Sequence, residues 1–553
     1  MSDRKDVIII GAGPVGLTLA NLLGQFGVST VVFEGRDELI DYPRAVGIDD
    51  EALRTMQTIG LVDKVLPHTV PDQKIRIVNG DRKILAEINP TTREFGWPRR
   101  NGFIQPLVDK VLLEGLARYP HVEVRFGSQV SAFASDSDGV TATISTASGE
   151  EQVTGSYVVG CDGGRSLTRQ HLGLAFEGET RSTRGLVIDV ANDPIGTPHA
   201  VFGGDPSRGY ATLSLPHGIR RWEFTLFEGE SEEVAEDDAF VFSLLAPHVP
   251  DPAGLNIIRR RVYAHHARVA EKFRVGRFLL AGDAAHVMPV VAGQGWNSGI
   301  RDALNLGWKL AAVVQGKASD KLLDSYEGER REHVKAMVAL SLNMANLVTD
   351  HNRLRTAVRD MAAAVLDKLP KARARLNSQG YKPMPKYDQG VVVPSELPTW
   401  KALPDRADAP RAVGTLFPQP TVRNEDGCSV LLDDATGQGW RVIVWNNDPR
   451  AFVSEAEAQT LAGLGGTLVH AVPASQLTWA KAAAAPGVRV VGDESGLLKA
   501  WFDERPFSAI VVRPDHVVAA ECIAQELNDV LKKVFRAADV TLATKTHNSI
   551  MNA

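Results

Sequence analysis

Residues 7–34 read VIIIGAGPVGLTLANLLGQFGVSTVVFE, and the order of apolar runs and glycines in this stretch decides the fold. VIII is a short buried strand, GAGPVG a tight turn, LTLANLLGQFG a helix and VSTVVFE a second strand, so together they form a βαβ unit. Gly11, Gly13 and Gly16 follow the first strand with Pro14 among them, and Glu34 closes the second strand 18 residues after Gly16. Glycines at these positions let a pyrophosphate approach the backbone. The helix start offers unpaired N–H groups, and the terminal carboxylate can accept hydrogen bonds from a ribose with a free 2′-hydroxyl, as in FAD or NAD. The 27 residues 7–33 carry no charge and are long enough for a membrane span, but Gly11, Gly13, Gly16, Gly24 and Gly27 punctuate them. Two buried strands around a helix are expected there, and no membrane segment.

The chain around this unit has 553 residues, 44% hydrophobic and 23% charged, which is the balance of a globular protein with two to four domains. A formal charge of −6 excludes a general nucleic-acid binder, whose affinity would come from neutralising phosphates. Three scattered cysteines, Cys161, Cys428 and Cys522, form no CxxC or Cys/His cluster, so no disulfide framework, zinc site or other metal site is expected, and a reducing cytoplasm is the default compartment. Alternating KIRIV and KILAEI read as a hairpin, PLVDKVLLEGLARY as an amphipathic helix, and about 180–275 as strands separated by Pro and Gly. The expected architecture is an α/β fold in which a FAD- or NAD-binding Rossmann-like domain (1–75, 100–180 and 275–345) carries an inserted antiparallel-sheet substrate domain (76–99 and 181–274). A helical segment and Pro-rich linker (346–410) and a small α/β domain (411–553) follow.

Two later motifs choose between the cofactors. Cys161-Asp162-Gly163-Gly164-Arg165-Ser166 follows the strand SYVVG, and Gly282-Asp283-Ala284-Ala285-His286 follows RFLLA. In this order the three motifs resemble the fingerprints of the class A flavoprotein aromatic hydroxylases, with the para-hydroxybenzoate hydroxylase fold. The runs LIDYPRAVGIDDEALRTMQTIGL, EFGWPRRNGFIQP, AGQGWNSGIRDALNLGWKL and RPDHVVAA extend the resemblance over essentially the whole chain, within the phenol hydroxylase branch. The resemblance implies a thioredoxin-like C-terminal domain, here without CxxC, and bound FAD held by Gly11, Gly13, Pro14, Gly16, Glu34, Arg44, Gln105, Asp162, Gly282, Asp283, Pro289, Gly293, Gln294, Gly295 and Asn297. Trp296 is expected near the flavin without an assigned role.

The resemblance further implies an NADH-consuming monooxygenase that uses dioxygen to hydroxylate a phenolic acid beside its hydroxyl, in aromatic-acid catabolism, as a homodimer. A phenol with a pKa near 10 is about one part in a thousand ionised at pH 7, so a base or hydrogen-bond acceptor is needed to activate it. Asp49, His217, Tyr263 and His265 are candidates for that role, although Asp49 and Asp50 could equally cap a helix. Relatives carry an acid near the position of Val46. A substrate carboxylate needs a cation or donors, because an unpaired buried charge is costly. Arg184, Tyr210 and Arg221 are candidates, with Arg99, Arg100, Arg220, His217, Tyr263, His265 and His266 also available, and the sequence does not choose among them. The rival readings are the same chemistry on resorcinol, a hydroxybenzoate or a hydroxybiphenyl, a flavin protein without oxygenase activity, and a nicotinamide-only dehydrogenase.

Overall fold

The computed structural model describes residues 4–349, 351–366, 368–377, 379–396 and 411–541, so 397–410 of the expected linker lies outside the described residues. Two compact units emerge. The first comprises Met1–Arg93, Trp97–Leu304 and Arg330–Pro383, and the second Glu94–Gly96, Asn305–Glu329 and Met384–Ala553.

In the first unit, strand Lys5–Ile10 lies parallel to Thr30–Phe33 on one side and to Gly149–Gly160 on the other. Val122–Arg125 extends the parallel sheet beyond Thr30–Phe33, and Phe278–Leu280 extends it beyond Gly149–Gly160. The chain therefore builds outward in one direction, returns to the centre and builds in the other, which leaves a crevice at the carboxyl end of Lys5–Ile10. Helix Pro14–Gln25 opens there, with Gly13 as N-cap and Pro14 in its first turn, where a missing N–H costs nothing. Helix Asp50–Thr58 follows the strand Gly47–Asp49, and Gly60 beyond it has φ of 67°.

A second sheet of the same unit has the order His286–Val287, Ile257–Ala270, Phe176–Val190, Ile219–Leu226, Tyr210–Leu215, Ala200–Gly204, Ile75–Asn79 and Ile84–Ile88. It departs from the all-antiparallel expectation at one pair, because Ile75–Asn79 runs parallel to Ala200–Gly204. Those two strands are joined through most of the nucleotide-binding sheet, and such a crossover permits the parallel direction that a tight hairpin forbids. Strand alternation gives the sheet two faces. One packs Leu186, Ile188, Trp222 and Phe224 against Val241 and Leu245 of helix Asp238–Leu245. The other presents Ala200, Phe202, Ala211 and Leu213, against which Val46, Val291 and Tyr381 pack. An antiparallel hairpin of Gln129–Ser135 and Val140–Thr146 pairs with Gly149–Gly160 in the first sheet, and a small separate sheet is formed by Gly47–Asp49, Arg100–Phe103 and Thr69–Val70.

The second unit carries its own sheet. Parallel Arg441–Trp445 and Thr467–Pro473 are followed by antiparallel Ala509–Val512 and Val518–Cys522 and then helix Leu527–Ala537, the thioredoxin-like arrangement. Its core includes Phe417, Ile443, Val469, Ile510 and Val518, all fully buried. The RPDH motif is structural within this unit. Both Arg513 Nη atoms donate to the Glu329 carboxylate at 2.7 Å, and Arg513 Nε donates to Asp515 at 2.9 Å. The three cysteines are free thiols.

Candidate active site

The three fingerprint turns converge because they leave the carboxyl ends of three adjacent parallel strands. Ile10 leads into Gly11, Gly160 into Cys161, and Leu280 through Ala281 into Gly282, with Cys161 N donating to Ile10 O at 2.8 Å and Ala281 N to Gly160 O at 2.9 Å. The first turn needs its glycines for two different reasons. A Cβ at Gly11, where φ is 105°, would lie 2.5 Å from Cys161 O, and one at Gly16 would lie 2.1 Å from Gly11 O. Gly13 has no heavy atom within 4 Å of that position, so it leaves open space at the helix start. Glu34 Oε2 accepts from Ala12 N at 3.0 Å and Oε1 from Arg36 N at 3.1 Å, and each oxygen keeps a lone pair for a ribose hydroxyl.

The second turn is held by Asp162 Oδ2, which accepts from both Thr168 N and Thr168 Oγ1, while Asp162 Oδ1 is buried with no partner among the described residues. In the third, Asp283 is exposed although both its neighbours, Gly282 and Ala284, are buried. Gln105 Oε1 accepts from Arg44 N and Ala45 N, so it shapes the loop that carries the exposed Arg44 side chain. Gln105 Nε2 donates to Asp109, whose carboxyl burial pushes up to about 7.

Pro289 is buried, Gly293 has φ of 62° and empty space where a Cβ would stand, and Gly295 opens helix Gly295–Val314. Gln294 Oε1 is buried without a partner among the described residues. Asn297 differs from its neighbours in this loop. Its Nδ2 donates to Gly293 O at 2.7 Å and Gly47 O at 3.0 Å, and its Oδ1 accepts from Asp49 N at 3.1 Å, so its amide ties the loop to the small sheet. Trp296 is buried against Phe103 at 4.9 Å between ring centroids. The open glycine positions, the exposed Asp283 and the orphaned Asp162 and Gln294 oxygens fit a dinucleotide with a planar ring system at its far end. The residues available to hold FAD are those of the three turns, the Arg44 loop and the start of helix Gly295–Val314.

Two buried charge clusters support this cradle, and the sequence alone revealed neither. Asp302 accepts from Gly282 N at 3.1 Å, His286 Nε2 at 2.7 Å and Arg330 Nε at 2.8 Å. Burial works against its charge, but His286 and Arg330 prevail and hold it down to about 2. Asp49 and Glu51 form the second cluster with Arg301 and Lys382. Lys382 Nζ lies 2.9 Å from each carboxylate, and Arg301 donates to both. Against the push of burial, Arg301 and Lys382 keep Asp49 and Glu51 below the usual carboxylate range. Asp49 also caps helix Asp50–Thr58 through Ala52 N, so its carboxylate is fully engaged as a structural anion and not placed as a base.

The remaining candidates separate by face and partner. His217 is exposed beside His68, with φ of 60°. Arg184 pairs with Glu232 at the surface, and Tyr210 packs with His248 on the face that carries Trp222 and Phe224, so neither joins the opposite, inner apolar wall of Phe202, Ala211 and Leu213. Arg221 is spent on Asp189, at 2.7 and 2.9 Å, and on Pro43 O. Arg220 is held by Asp193, Arg99 lies 2.9 Å from Asp50, and His266 meets Thr180 Oγ1. Tyr263 crosses Gly185, where a Cβ would lie 2.3 Å from its ring, and donates to Glu223 Oε2 at 3.1 Å. Burial raises the proton affinity of Glu223 and of Tyr263, and lowers His265 to about 4. Among the described residues, no cluster of His, Cys, Asp and Glu could hold a metal, and no helix is long and apolar enough to cross a membrane.

Residues 4–341 match the family described as FAD binding domain, and 414–537 match the one described as HcaD C-terminal domain. The chain is 51% identical over 530 residues to a 3-(3-hydroxy-phenyl)propionate/3-hydroxycinnamic acid hydroxylase of Mycolicibacterium smegmatis, covering 96% of this chain and 92% of that one. It is 45% identical over 536 residues to a protein of the same name from Escherichia coli, covering 97% of this chain and 95% of the other. Among solved structures, aklavinone-11 hydroxylase in a ternary complex with FAD and aklavinone aligns with a TM-score of 0.75 at 26% identity, over 97% of this chain and 100% of that one. The flavin-dependent monooxygenase PieE has the same fold, with a TM-score of 0.80 at 22% identity and coverage of 97% and 100%.

Proposed function

This chain belongs to the FAD-binding family of flavin-dependent aromatic hydroxylases, and from that premise we propose that it converts 3-(3-hydroxyphenyl)propionate to the 2,3-dihydroxyphenyl product. In this reading 3-hydroxycinnamate is a second substrate, NADH and dioxygen are consumed, and the enzyme acts in the cytoplasm as a homodimer. The observation that carries the reading is near-full-length identity of about half to relatives named for these two substrates.

When bound, FAD supplies the two-electron store and the oxygen activation; the residues supply everything else. The three turns would hold the pyrophosphate and ribose, and the N–H groups at the start of helix Gly295–Val314 would favour negative charge on a ring bound there, worth about 0.3–1 kcal/mol at an exposed helix end and more when partly buried. Phe202, Ala211, Leu213, Val46 and Val291 form an apolar wall that keeps water from the reacting ring. The substrate phenol must approach its phenolate, and ionising a phenol with a pKa near 10 costs about 4 kcal/mol at pH 7 unless an acceptor takes the proton. On the inner sheet face Tyr263 donates to Glu223, whose raised proton affinity suits it to take a proton passed through that hydroxyl. This pair supplies the acceptor that Val46 cannot.

The test is oxygen-dependent NADH oxidation by the FAD-loaded protein with 3-(3-hydroxyphenyl)propionate, 3-hydroxycinnamate, resorcinol, 3-hydroxybenzoate and 2-hydroxybiphenyl, with products identified by mass spectrometry. Coupled hydroxylation of the first two is expected. Full coupling on another ring and none on the phenylpropionate refutes the substrate assignment, and a yellow protein that never oxidises NADH with any of them refutes the activity.

A further inference from the structure

Arg100 stands apart from every other arginine considered for the substrate. Its guanidinium has no hydrogen bond and no ion pair among the described residues, and its Nε is buried. Its position is not accidental. In strand Arg100–Phe103 alternate side chains point to opposite sides. Phe103 packs on Trp296 toward the helix that begins at Gly295, and Asn101 donates to Ile48 O and Pro98 O. Gly102 points the other way, since a Cβ there would lie 3.2 Å from Ser214 O in strand Tyr210–Leu215 of the substrate sheet. Arg100 shares that side. The strand is fixed in place by Gln73, whose N donates to Arg100 O at 3.0 Å and whose Nε2 donates to Ser214 O at 2.7 Å.

Arg100 also lies within electrostatic reach of Tyr381, which packs against the inner apolar wall and whose hydroxyl has no partner among the described residues. A guanidinium stays charged, and leaving it half-buried with no counter-anion is costly, so the arrangement is complete only when an anion arrives. A planar fork beside a phenolic donor matches the two oxygens of a carboxylate. We propose that Arg100, with the Tyr381 hydroxyl, is the carboxylate-binding site of the substrate pocket, holding the acid end of a short flexible tail while the phenol ring rests on the apolar wall. The assignment rests on the function proposed above and adds the residues that select an acid over a neutral phenol.

The experiment compares the FAD-loaded wild type with Arg100→Gln, Arg100→Lys and Tyr381→Phe. Each is titrated with 3-(3-hydroxyphenyl)propionate and with its neutral amide, following the flavin absorbance for Kd and NADH oxidation for KM and kcat. Arg100→Gln is expected to weaken the acid about 100-fold and the amide less than about threefold, with Arg100→Lys in between and Tyr381→Phe losing about fivefold for the acid. Equal affinity of wild type and Arg100→Gln for the acid overturns the assignment and leaves the proposed function standing. Equal loss for acid and amide overturns it too, because it reports a structural role. If Arg100→Gln fails to retain FAD, Arg100→Lys and Tyr381→Phe decide in the same way. A wild type that turns over neither compound overturns the functional reading and this assignment with it.

Discussion

Replacing Asn297 by alanine separates a residue that holds the cofactor from one that holds the loop the cofactor rests on. The side chain is 1% exposed and makes three hydrogen bonds, to Gly293 O, Gly47 O and Asp49 N, at 2.7, 3.0 and 3.1 Å. Alanine leaves two carbonyls and one N–H without that partner. At about 1 kcal/mol per net hydrogen bond the loss is about 3 kcal/mol, and more where no water reaches the orphaned group. With an unfolding entropy of about 2.1 cal/mol/K per residue over the roughly 350 residues of the first unit, that corresponds to about 4 °C in melting temperature. The assay is thermal unfolding of the FAD-free protein followed by circular dichroism, together with FAD affinity by fluorescence quenching. Asn297→Ala is expected to lower the melting temperature of the FAD-free protein and to weaken FAD as a consequence. Asn297→Asp should do no better, because it keeps the acceptor for Asp49 N but loses both donors. An FAD-free variant that melts within 1 °C of wild type while losing FAD affinity refutes the reasoning, since Asn297 would then act on the cofactor directly.

Gly16→Ala places a Cβ 2.1 Å from Gly11 O, a backbone atom that cannot move aside without opening the turn, and should cut FAD content at least about tenfold, read from the 450 nm absorbance of the purified protein. Lys382→Met strands a buried carboxylate of the Asp49 and Glu51 pair and should cost about 3–5 kcal/mol at pH 7.5. In wild type the depressed values of Asp49 and Glu51 mean that their stabilisation is present above the ordinary carboxylate range and is lost only as pH falls through the depressed values. In the variant one of them gains a raised value, so the deficit should shrink as pH is lowered toward 5; denaturant midpoints at pH 5 and 7.5 that show a constant gap exclude the mechanism.

The sequence marked the cradle because each of its parts is local. A glycine turn after an apolar run has the same meaning wherever the run pairs, so Gly11, Gly13 and Gly16 were readable from the first motif, whereas Asp162 and Asp283 were read from the order of three motifs and the resemblance it carries. Their meeting was not. It follows from the order of three parallel strands, a property of pairings between residues as far apart as Val159 and Leu279. The polar candidates were illegible for the same reason. Asp49 reads equally as cap or base until Arg301 and Lys382 arrive from 252 and 333 residues away.

Composition, glycine spacing and hydrophobic period were therefore enough to mark a dinucleotide-binding fold with an added strand-rich sheet and a small α/β domain after it, since backbone geometry and period are written in neighbouring residues, and the resemblance to the aromatic hydroxylases added FAD and the thioredoxin-like character. Which charged groups remain available for chemistry was decided only by tertiary structure. A charge is consumed by whichever partner the fold brings within reach. Arg221 loses its freedom to Asp189 and Arg220 to Asp193, while Arg100 keeps its own because no acid among the described residues is folded against it.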